Sequence, residues 1–381
     1  MNYLTVDVYK DFTCVADACL NTCCVGWKIF IDNDTYEKMV EKEKCLGMQA
    51  KDWITDGKDH FVILKNQRCP MLSDDNLCKV VLKLGPEYLS NVCTHYPRTN
   101  IQYGGVIEGY LNTSCSEVVA KLMDKDSVEF DIIQDQQPVP DYPFEKLYNF
   151  ESTVRASMVH ILQSMPKVSL NVRLFTAFTI LEEGIRMYQE GALDGEVFER
   201  EVLFYAREDV LKSLEMRLGK SVNEESQYHF LGQLLKIAEK YEGLERFLGL
   251  LQQAGQYFEE KSPEQYASDV KAFKETCLAE YSGFYTNYWV YRIFSDTLSI
   301  PDYEKVKEKF AYIAVEFAVF QTIALVSFVK NQRLIREEYI YIISCLSRMM
   351  EHSVNFMEDL KRQIREKNLA SGAGLLLMTI L

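Results

Sequence analysis

Residues 14–27 read Cys14-Val15-Ala16-Asp17-Ala18-Cys19-Leu20-Asn21-Thr22-Cys23-Cys24-Val25-Gly26-Trp27, which places four cysteines within eleven residues. Nine of the chain's 11 cysteines precede residue 116, and after this stretch they continue with Cys45, Cys69, Cys78, Cys93 and Cys115. The N-terminus lacks the basic segment and apolar run of a secretory signal, so we expect a cytoplasmic protein. Clustered thiols in a reducing cytosol persist mainly as metal ligands or redox groups, so this part of the chain is predicted to bind metal.

The spacing of the cysteines limits the kind of metal site. Structural zinc sites usually contain two Cys-x2-Cys knuckles, and this spacing is absent from the sequence. A Cys-x3-Cys-x2-Cys pattern begins at Cys19 and Cys23 but fails at Gly26, and the ferredoxin pattern is also absent. Soft thiolates from well-separated segments suit a polynuclear iron–sulfur site or a zinc site of unusual spacing. Both remain open, and the ligand chemistry favours iron–sulfur.

Three cysteines are expected to take no part in metal binding. Cys45 falls at the end of a helix that the pattern predicts over Asp34–Lys44. Cys277 and Cys345 lie in apolar segments with helical periodicity, where a free cysteine behaves as a small core residue.

Between the cysteines the pattern predicts short, mixed elements. Residues 27–31 and 61–64 are rich in β-branched and aromatic side chains and are predicted to be strands. Asp32, Asn33 and Asp34 offer an N-cap for the helix that follows. Gly104-Gly105 is predicted to turn a hairpin between Ile101 and Tyr110. The N-terminal part is therefore predicted to be an irregular α+β domain held together by its metal.

The pattern changes after a proline-rich segment at residues 134–143. Apolar residues beyond it recur at helical spacing, for example Leu174, Phe178, Leu181, Ile185 and Tyr188. The predicted fold class is mainly α, with a cysteine-rich metal-binding domain at 1–133, a linker at 134–143 and a larger all-helical domain at 144–381.

Charge and hydropathy exclude two classes of protein. The formal net charge is -14, which argues against a nucleic-acid partner because phosphate binding needs a basic surface. The apolar run Phe310–Val329 is long enough to span a bilayer but contains Glu316 and Gln321. We therefore expect a buried central helix and no membrane span.

The cysteines and their flanking residues resemble one family in order and spacing. The matching segments are Phe12-Thr13-Cys14, Cys19-x3-Cys23-Cys24-x-Gly26-Trp27-x-Ile29, Cys69-Pro70-x-Leu72, Leu77-Cys78, Leu84-Gly85, Leu89-Ser90, Cys93-x2-Tyr96-Pro97-Arg98, Ser114-Cys115-x-Glu117 and Asn287-Tyr288-x2-Tyr291-Arg292-Ile293-Phe294. They resemble the flagellin lysine N-methylase family, and the first part is also similar to a group of zinc- or iron-chelating domains. Ser116 departs from the family pattern, in which a proline usually follows the last cysteine.

The resemblance implies methyl transfer from S-adenosylmethionine to lysine side chains of flagellin, with a [4Fe-4S] cluster in the cysteine-rich domain. The cysteines that fall on the family's positions are Cys14, Cys19, Cys23, Cys24, Cys69, Cys78, Cys93 and Cys115. Eight thiolates exceed the four that one such cluster needs, so some are structural or a second metal is bound.

The sequence contains no Gly-x-Gly-x-x-Gly loop, so an adenosylmethionine site would not be of the common doubly wound kind. Methyl transfer also requires a deprotonated lysine, and Tyr96, His95 and Glu117 lie near cysteines as candidate catalytic residues. Arg98 is a candidate for binding the methionyl carboxylate, or for bracing the metal loop. The alternative function is a non-catalytic zinc- or iron-binding module with a helical partner-binding domain.

Overall fold

The computed structural model describes residues 2–134, 141–218, 223–238, 244–303 and 305–379. Over these residues the fold is mainly α, as the sequence predicts. The strands are β1 (Asn2–Val6), β2 (Phe30–Ile31), β3 (His60–Phe61), β4 (Arg98–Tyr103), β5 (Val106–Leu111) and β6 (Phe130–Gln134). The α-helices are α1 (Asn33–Glu41), α2 (Glu43–Leu46), α3 (Lys79–Leu84), α4 (Asn91–His95), α5 (Ser116–Met123), α6 (Glu145–Ser164), α7 (Leu170–Gln189), α8 (Gly195–Val202), α9 (Glu208–Leu218), α10 (Glu224–Ala238), α11 (Glu245–Glu260), α12 (Pro263–Phe273), α13 (Ala279–Asp296), α14 (Lys305–Asn331), α15 (Arg336–His352), α16 (Val354–Glu366) and α17 (Gly372–Met378).

Four strands form a sheet in the order β4-β5-β1-β6. The predicted hairpin is present: β4 and β5 pair antiparallel, and Gly104 takes a φ of 57° in the turn, which glycine adopts without strain. β1 pairs parallel to β5 and antiparallel to β6. The sequence analysis missed β1 and β6, because short strands gain their stability from pairing rather than from their own residues.

A second, smaller core lies among the cysteines. β2 and β3 pair antiparallel over two residues each, so both predicted strands form but are shorter than the pattern indicates. Asp32 caps α1 as predicted, because its carboxylate accepts a hydrogen bond from the Thr35 amide at 3.0 Å. Met39, Trp53 and Ile54 are buried at the centre of this core.

Helix α14 is the central helix of the helical region. By length and composition it could cross a membrane, but 89% of its most apolar stretch is buried inside the protein. It packs against α10, α11, α12, α13 and α15, and its Glu316 and Gln321 are fully buried. The expected buried central helix is therefore present.

Helix α13 fastens the helical region to the sheet. The Tyr291 hydroxyl accepts from the Leu111 amide at 2.7 Å and donates to the Leu111 carbonyl at 2.6 Å. Asn287 donates to the Lys125 carbonyl at 2.7 Å. The main hydrophobic core continues from Val6 and Leu111 into the helices. The domain boundaries stay a prediction, and residues 135–140 of the predicted linker lie outside the described residues.

Glu151 on α6 is buried in this core with 2% of its surface exposed. Neither carboxylate oxygen has a hydrogen-bond partner within normal distance among the described residues. Burial raises the pKa of Glu151 to about 8, although the Ser299 amide and the nearby Lys309 charge lower it somewhat. The carboxyl group is therefore mostly protonated at neutral pH in the folded protein.

We predict that Glu151→Gln stabilises the protein at pH 7 by roughly 1–3 kcal/mol. The pKa of Glu151 is about 8 in the folded protein and 4.5 ordinarily, so the folded state holds a proton that the unfolded state releases between these pH values. The free energy of unfolding of the wild type therefore falls as the pH rises from 4.5 to 8. The gain should disappear near pH 4.5 in urea unfolding curves. Glu145→Gln, on the exposed first turn of the same helix, is the control. A variant less stable than wild type at pH 7 would contradict the prediction.

Candidate metal centre and adjoining crevice

Backbone pairing brings the first cysteine segment against the second. The Gly26 amide donates to the Gln67 carbonyl at 2.8 Å, and the Cys69 amide donates to the Cys24 carbonyl at 2.8 Å. Gly26 takes a φ of 78°, which turns the chain sharply after the paired cysteines. We call residues 19–27 the cysteine loop.

The third and fourth cysteine segments lie next to the first two. Cys78 forms an antiparallel bridge with Leu72, across the turn between them. Cys93 lies in α4, where its amide donates to the N-cap hydroxyl of Ser90 at 3.3 Å. Tertiary structure therefore gathers thiols from four separate segments.

Neighbouring thiols lie close enough to Cys69 and Cys93 to raise the pKa of each. Burial raises the pKa of Cys69 to about 12, and the neighbouring Cys78, Cys93 and Cys23 add to the rise. Burial raises the pKa of Cys93 to about 11, with Cys23 and Cys78 again contributing. A hydrogen bond with Cys24, together with burial, raises the pKa of Cys23 well above its usual value. We call Cys23, Cys69, Cys78 and Cys93 the thiol cluster.

Two more cysteines border the thiol cluster. Burial raises the pKa of Cys115 to about 12, and the nearby Cys19 and Cys23 add to the rise. The Cys19 sulfur lies 3.3 Å from the Ser116 hydroxyl. Cys14 and Cys45 are exposed, whereas Cys277 and Cys345 are buried among the helices.

The thiol cluster is not a preformed coordination site. Within the described ranges, no three His, Cys, Asp or Glu side chains are already arranged to hold one metal ion. Neutral thiols pack as small apolar groups, and a metal ligand must first lose its proton. The donor set nevertheless fits a soft-metal centre, because it offers four thiols from converging segments and few competing oxygen ligands.

Arg348 of α15 holds the cysteine loop in place. Its side chain is buried, with 4% of its surface exposed. The guanidinium donates to the backbone carbonyls of Asn21, Thr22, Val25 and Ser114 at 2.9–3.1 Å, and to the Asn21 side chain at 3.0 Å. This cation also lowers the pKa of Cys23, against the dominant effect of the Cys24 hydrogen bond. One buried charge therefore both fixes the loop and favours thiolate beside it.

A partly exposed group of five side chains, which we call the crevice, adjoins the cysteine loop at the end of α15. Trp27 stacks on His352 with ring centroids 4.5 Å apart, and it lies 5.6 Å from the Tyr96 ring. The Trp27 indole donates to the Cys23 carbonyl at 2.6 Å. The Ser114 hydroxyl donates to Glu351 at 2.6 Å. Trp27, Tyr96, Ser114, Glu351 and His352 thus form a mixed aromatic and polar wall beside the thiols.

Of the predicted catalytic and cofactor residues, the structure brings Tyr96 to this wall. Arg98 lies elsewhere, where its guanidinium donates to the Phe12 carbonyl at 2.9 Å and packs over the Phe12 ring. Glu117 pairs with Lys121 on the surface of α5 at 3.7 Å. His95 is exposed and contacts the Asn91 carbonyl through Nδ1 at 2.8 Å.

The sequence analysis assigned no role to the α15 residues of this site. Ser344, Ser347, Arg348 and Glu351 recur at i, i+3, i+4 and i+7, which places four polar side chains on one face of a largely apolar helix. Ser344 accepts from Asn21 at 3.0 Å, and Ser347 accepts from Thr113 at 3.0 Å. This polar stripe is the feature of the sequence that could have predicted the role of α15 in the site.

A cavity of about 890 Å³ opens against the cysteine loop. Its lining includes loop residues 19–22 and Val25, with Arg68, Arg246 and Tyr341. The Arg246 guanidinium lies 4.3 Å from the centre of the Tyr341 ring. The volume is in the range of small-molecule sites.

Comparison with known proteins gives one matching family model and several similar proteins. The profile of the FliB lysine N-methylase C-terminal domain matches residues 155–378. Proteins named lysine-N-methylase from Salmonella choleraesuis and Salmonella typhimurium are each 22% identical over 401 residues, covering 93% of this chain and 92% of their own. The flagellar biosynthetic protein FliU of Salmonella muenchen is 32% identical over 120 residues, covering 29% of this chain and 71% of that protein. No solved structure matches significantly. The chain belongs to the FliB lysine N-methylase family, as its resemblance implied.

We predict that Arg348→Met lowers the free energy of unfolding by about 3 kcal/mol or more, because several buried carbonyls lose their donor. The loosened loop should also expose its thiols, so iodoacetamide should label Cys19, Cys23 and Cys24 faster by mass spectrometry. Arg362→Met, on the exposed face of α16, is the matched control. Unchanged stability and unchanged loop labelling would show that Arg348 does not anchor the loop.

Proposed function

We propose that the protein transfers methyl groups from S-adenosylmethionine to lysine side chains of flagellin, with an iron–sulfur cluster in the cysteine-rich part. The observation that carries the proposal is the position of the thiol cluster beside an aromatic and acidic crevice, in a lysine N-methylase family member. The relatives' names support lysine as the acceptor and a flagellar protein as the substrate. We assign the reaction to the cytoplasm, where thiols stay reduced.

The thiol cluster is the best candidate for holding a [4Fe-4S] cluster, which four cysteine thiolates bind. Cys14, Cys19, Cys24 and Cys115 then remain for structural roles or a second metal. A bound iron–sulfur cluster would supply a redox-active centre with net negative charge beside the crevice. Zinc bound to the same thiols is the competing assignment.

Adenosylmethionine would bind in the cavity of about 890 Å³. Both this cavity and the crevice adjoin the cysteine loop. Arg246 and Arg68 supply cations for the methionyl carboxylate because both line this cavity, whereas Arg98 does not line it. Aromatic rings such as Tyr341 can face the sulfonium or the adenine.

The chemistry requires a neutral amine. The lysine nitrogen attacks the methyl carbon of the sulfonium, the carbon–sulfur bond breaks, and its electron pair stays on sulfur. The products are methylated lysine and S-adenosylhomocysteine. Burial keeps the pKa of Tyr96 well above its usual value, so Tyr96 enters this reaction as a hydrogen-bond donor and not as a base.

We predict that protein purified anaerobically with iron, supplied with S-adenosylmethionine, adds methyl groups to lysines of flagellin from the same organism. Mass spectrometry of the flagellin detects the products, and a reaction without the methyl donor is the control. Calorimetry should show adenosylmethionine binding to the metal-loaded protein. No donor binding and no methylated lysine would leave the non-catalytic metal-binding module as the better account.

A further inference from the structure

Glu351 combines two properties that rarely occur together. Its side chain keeps 27% of its surface accessible, yet burial raises its pKa to about 7. His352 beside it shows the same pair of properties, with 31% accessible and a pKa lowered to about 4 by burial. Both side chains are therefore open to solvent on one side and packed against protein on the other. Glu351 is thus reachable by a slender side chain.

Hydrogen bonds fix the direction of this carboxylate. The Tyr96 hydroxyl donates to the Ser114 hydroxyl at 3.1 Å, and Ser114 donates to Glu351 Oε2 at 2.6 Å. A carboxylate has about four acceptor positions, so one hydrogen bond leaves room for a further donor. The Tyr96 ring lies beside this chain of hydrogen bonds, 5.6 Å from the Trp27 ring, which is itself stacked on His352.

The charges around the crevice favour a positively charged ligand. Glu316 and Asp296 add to the rise in the pKa of Glu351, whereas Arg292 lowers it. Arg292 is already engaged by both of those carboxylates. Arg348 on the other side is fully occupied by backbone carbonyls and Asn21. His352 lies 3.7 Å from Glu351 but is neutral at pH 7, so among the described residues Glu351 has no cationic partner of its own.

We infer that Glu351, oriented by Ser114 and Tyr96, binds the ε-ammonium group of the lysine to be methylated. This inference deepens the proposed function. That the bound lysine is methylated rests on the proposed function, whereas the binding of lysine does not. An alkylammonium carries three N–H donors for a carboxylate, whereas a sulfonium carries none. The crevice therefore suits the lysine rather than the methyl donor.

The test compares the binding of unmodified flagellin with that of the same flagellin acetylated on its lysines, by calorimetry without adenosylmethionine. Wild-type protein should bind the unmodified flagellin about tenfold more tightly or better, because acetylation removes a charge-assisted hydrogen bond. Glu351→Gln should reduce this preference to about twofold or less. Its iron content and adenosylmethionine affinity should match wild type, which shows an intact fold.

Glu358→Gln is the matched control, because Glu358 is an exposed carboxylate on the adjacent α16. It should keep the full preference for unmodified flagellin. A preference retained by Glu351→Gln, or absent from wild type, overturns the inference. Weakened adenosylmethionine binding with an unchanged lysine preference also overturns it and assigns the crevice to the sulfonium. A lysine preference without methyl transfer upholds the binding site and instead contradicts the proposed function.

Discussion

The buried guanidinium of Arg348 is the contact on which the candidate site depends. It donates hydrogen bonds to backbone carbonyls of both the cysteine loop and the Ser114 segment. Without Arg348, these buried carbonyls would need other hydrogen-bond donors. A charged donor with five N–H groups meets this demand with one side chain. Because Arg348 belongs to a core helix, the loop that carries Cys19, Cys23 and Cys24 takes its position from the helical region.

The helical region therefore does more than accompany the cysteine-rich part of the chain. Tyr291 and Asn287 of α13 hold the chain around Leu111 and Lys125, and α15 provides both Arg348 and Glu351. The thiol cluster, by contrast, packs mainly on the small core around Trp53. The crevice thus forms where cysteine-bearing segments and helices meet, and neither part supplies all of its wall.

Local signals in the sequence predicted much of the fold. Asp32 as an N-cap and the glycines at 104–105 act through neighbouring residues, and both predictions are confirmed. The residues that shape the crevice act over long separations, since Arg348 and Asn21 are 327 positions apart. Periodicity could reveal the polar face of α15 but not the loop that it meets. The choice of metal, its ligands and the roles of Arg98 and Glu117 stay predictions.

The central claim is that thiols from four separate segments bind one iron–sulfur cluster. It is tested most directly by iron and sulfide analysis of anaerobically purified serine variants. Wild-type protein should contain about four irons and absorb near ~400 nm. Replacing Cys23, Cys69, Cys78 or Cys93 should abolish both signals, whereas replacing Cys45, Cys277 or Cys345 should leave them unchanged. Colourless wild-type protein that carries zinc, or iron that survives loss of Cys69 but not of Cys45, would contradict the account.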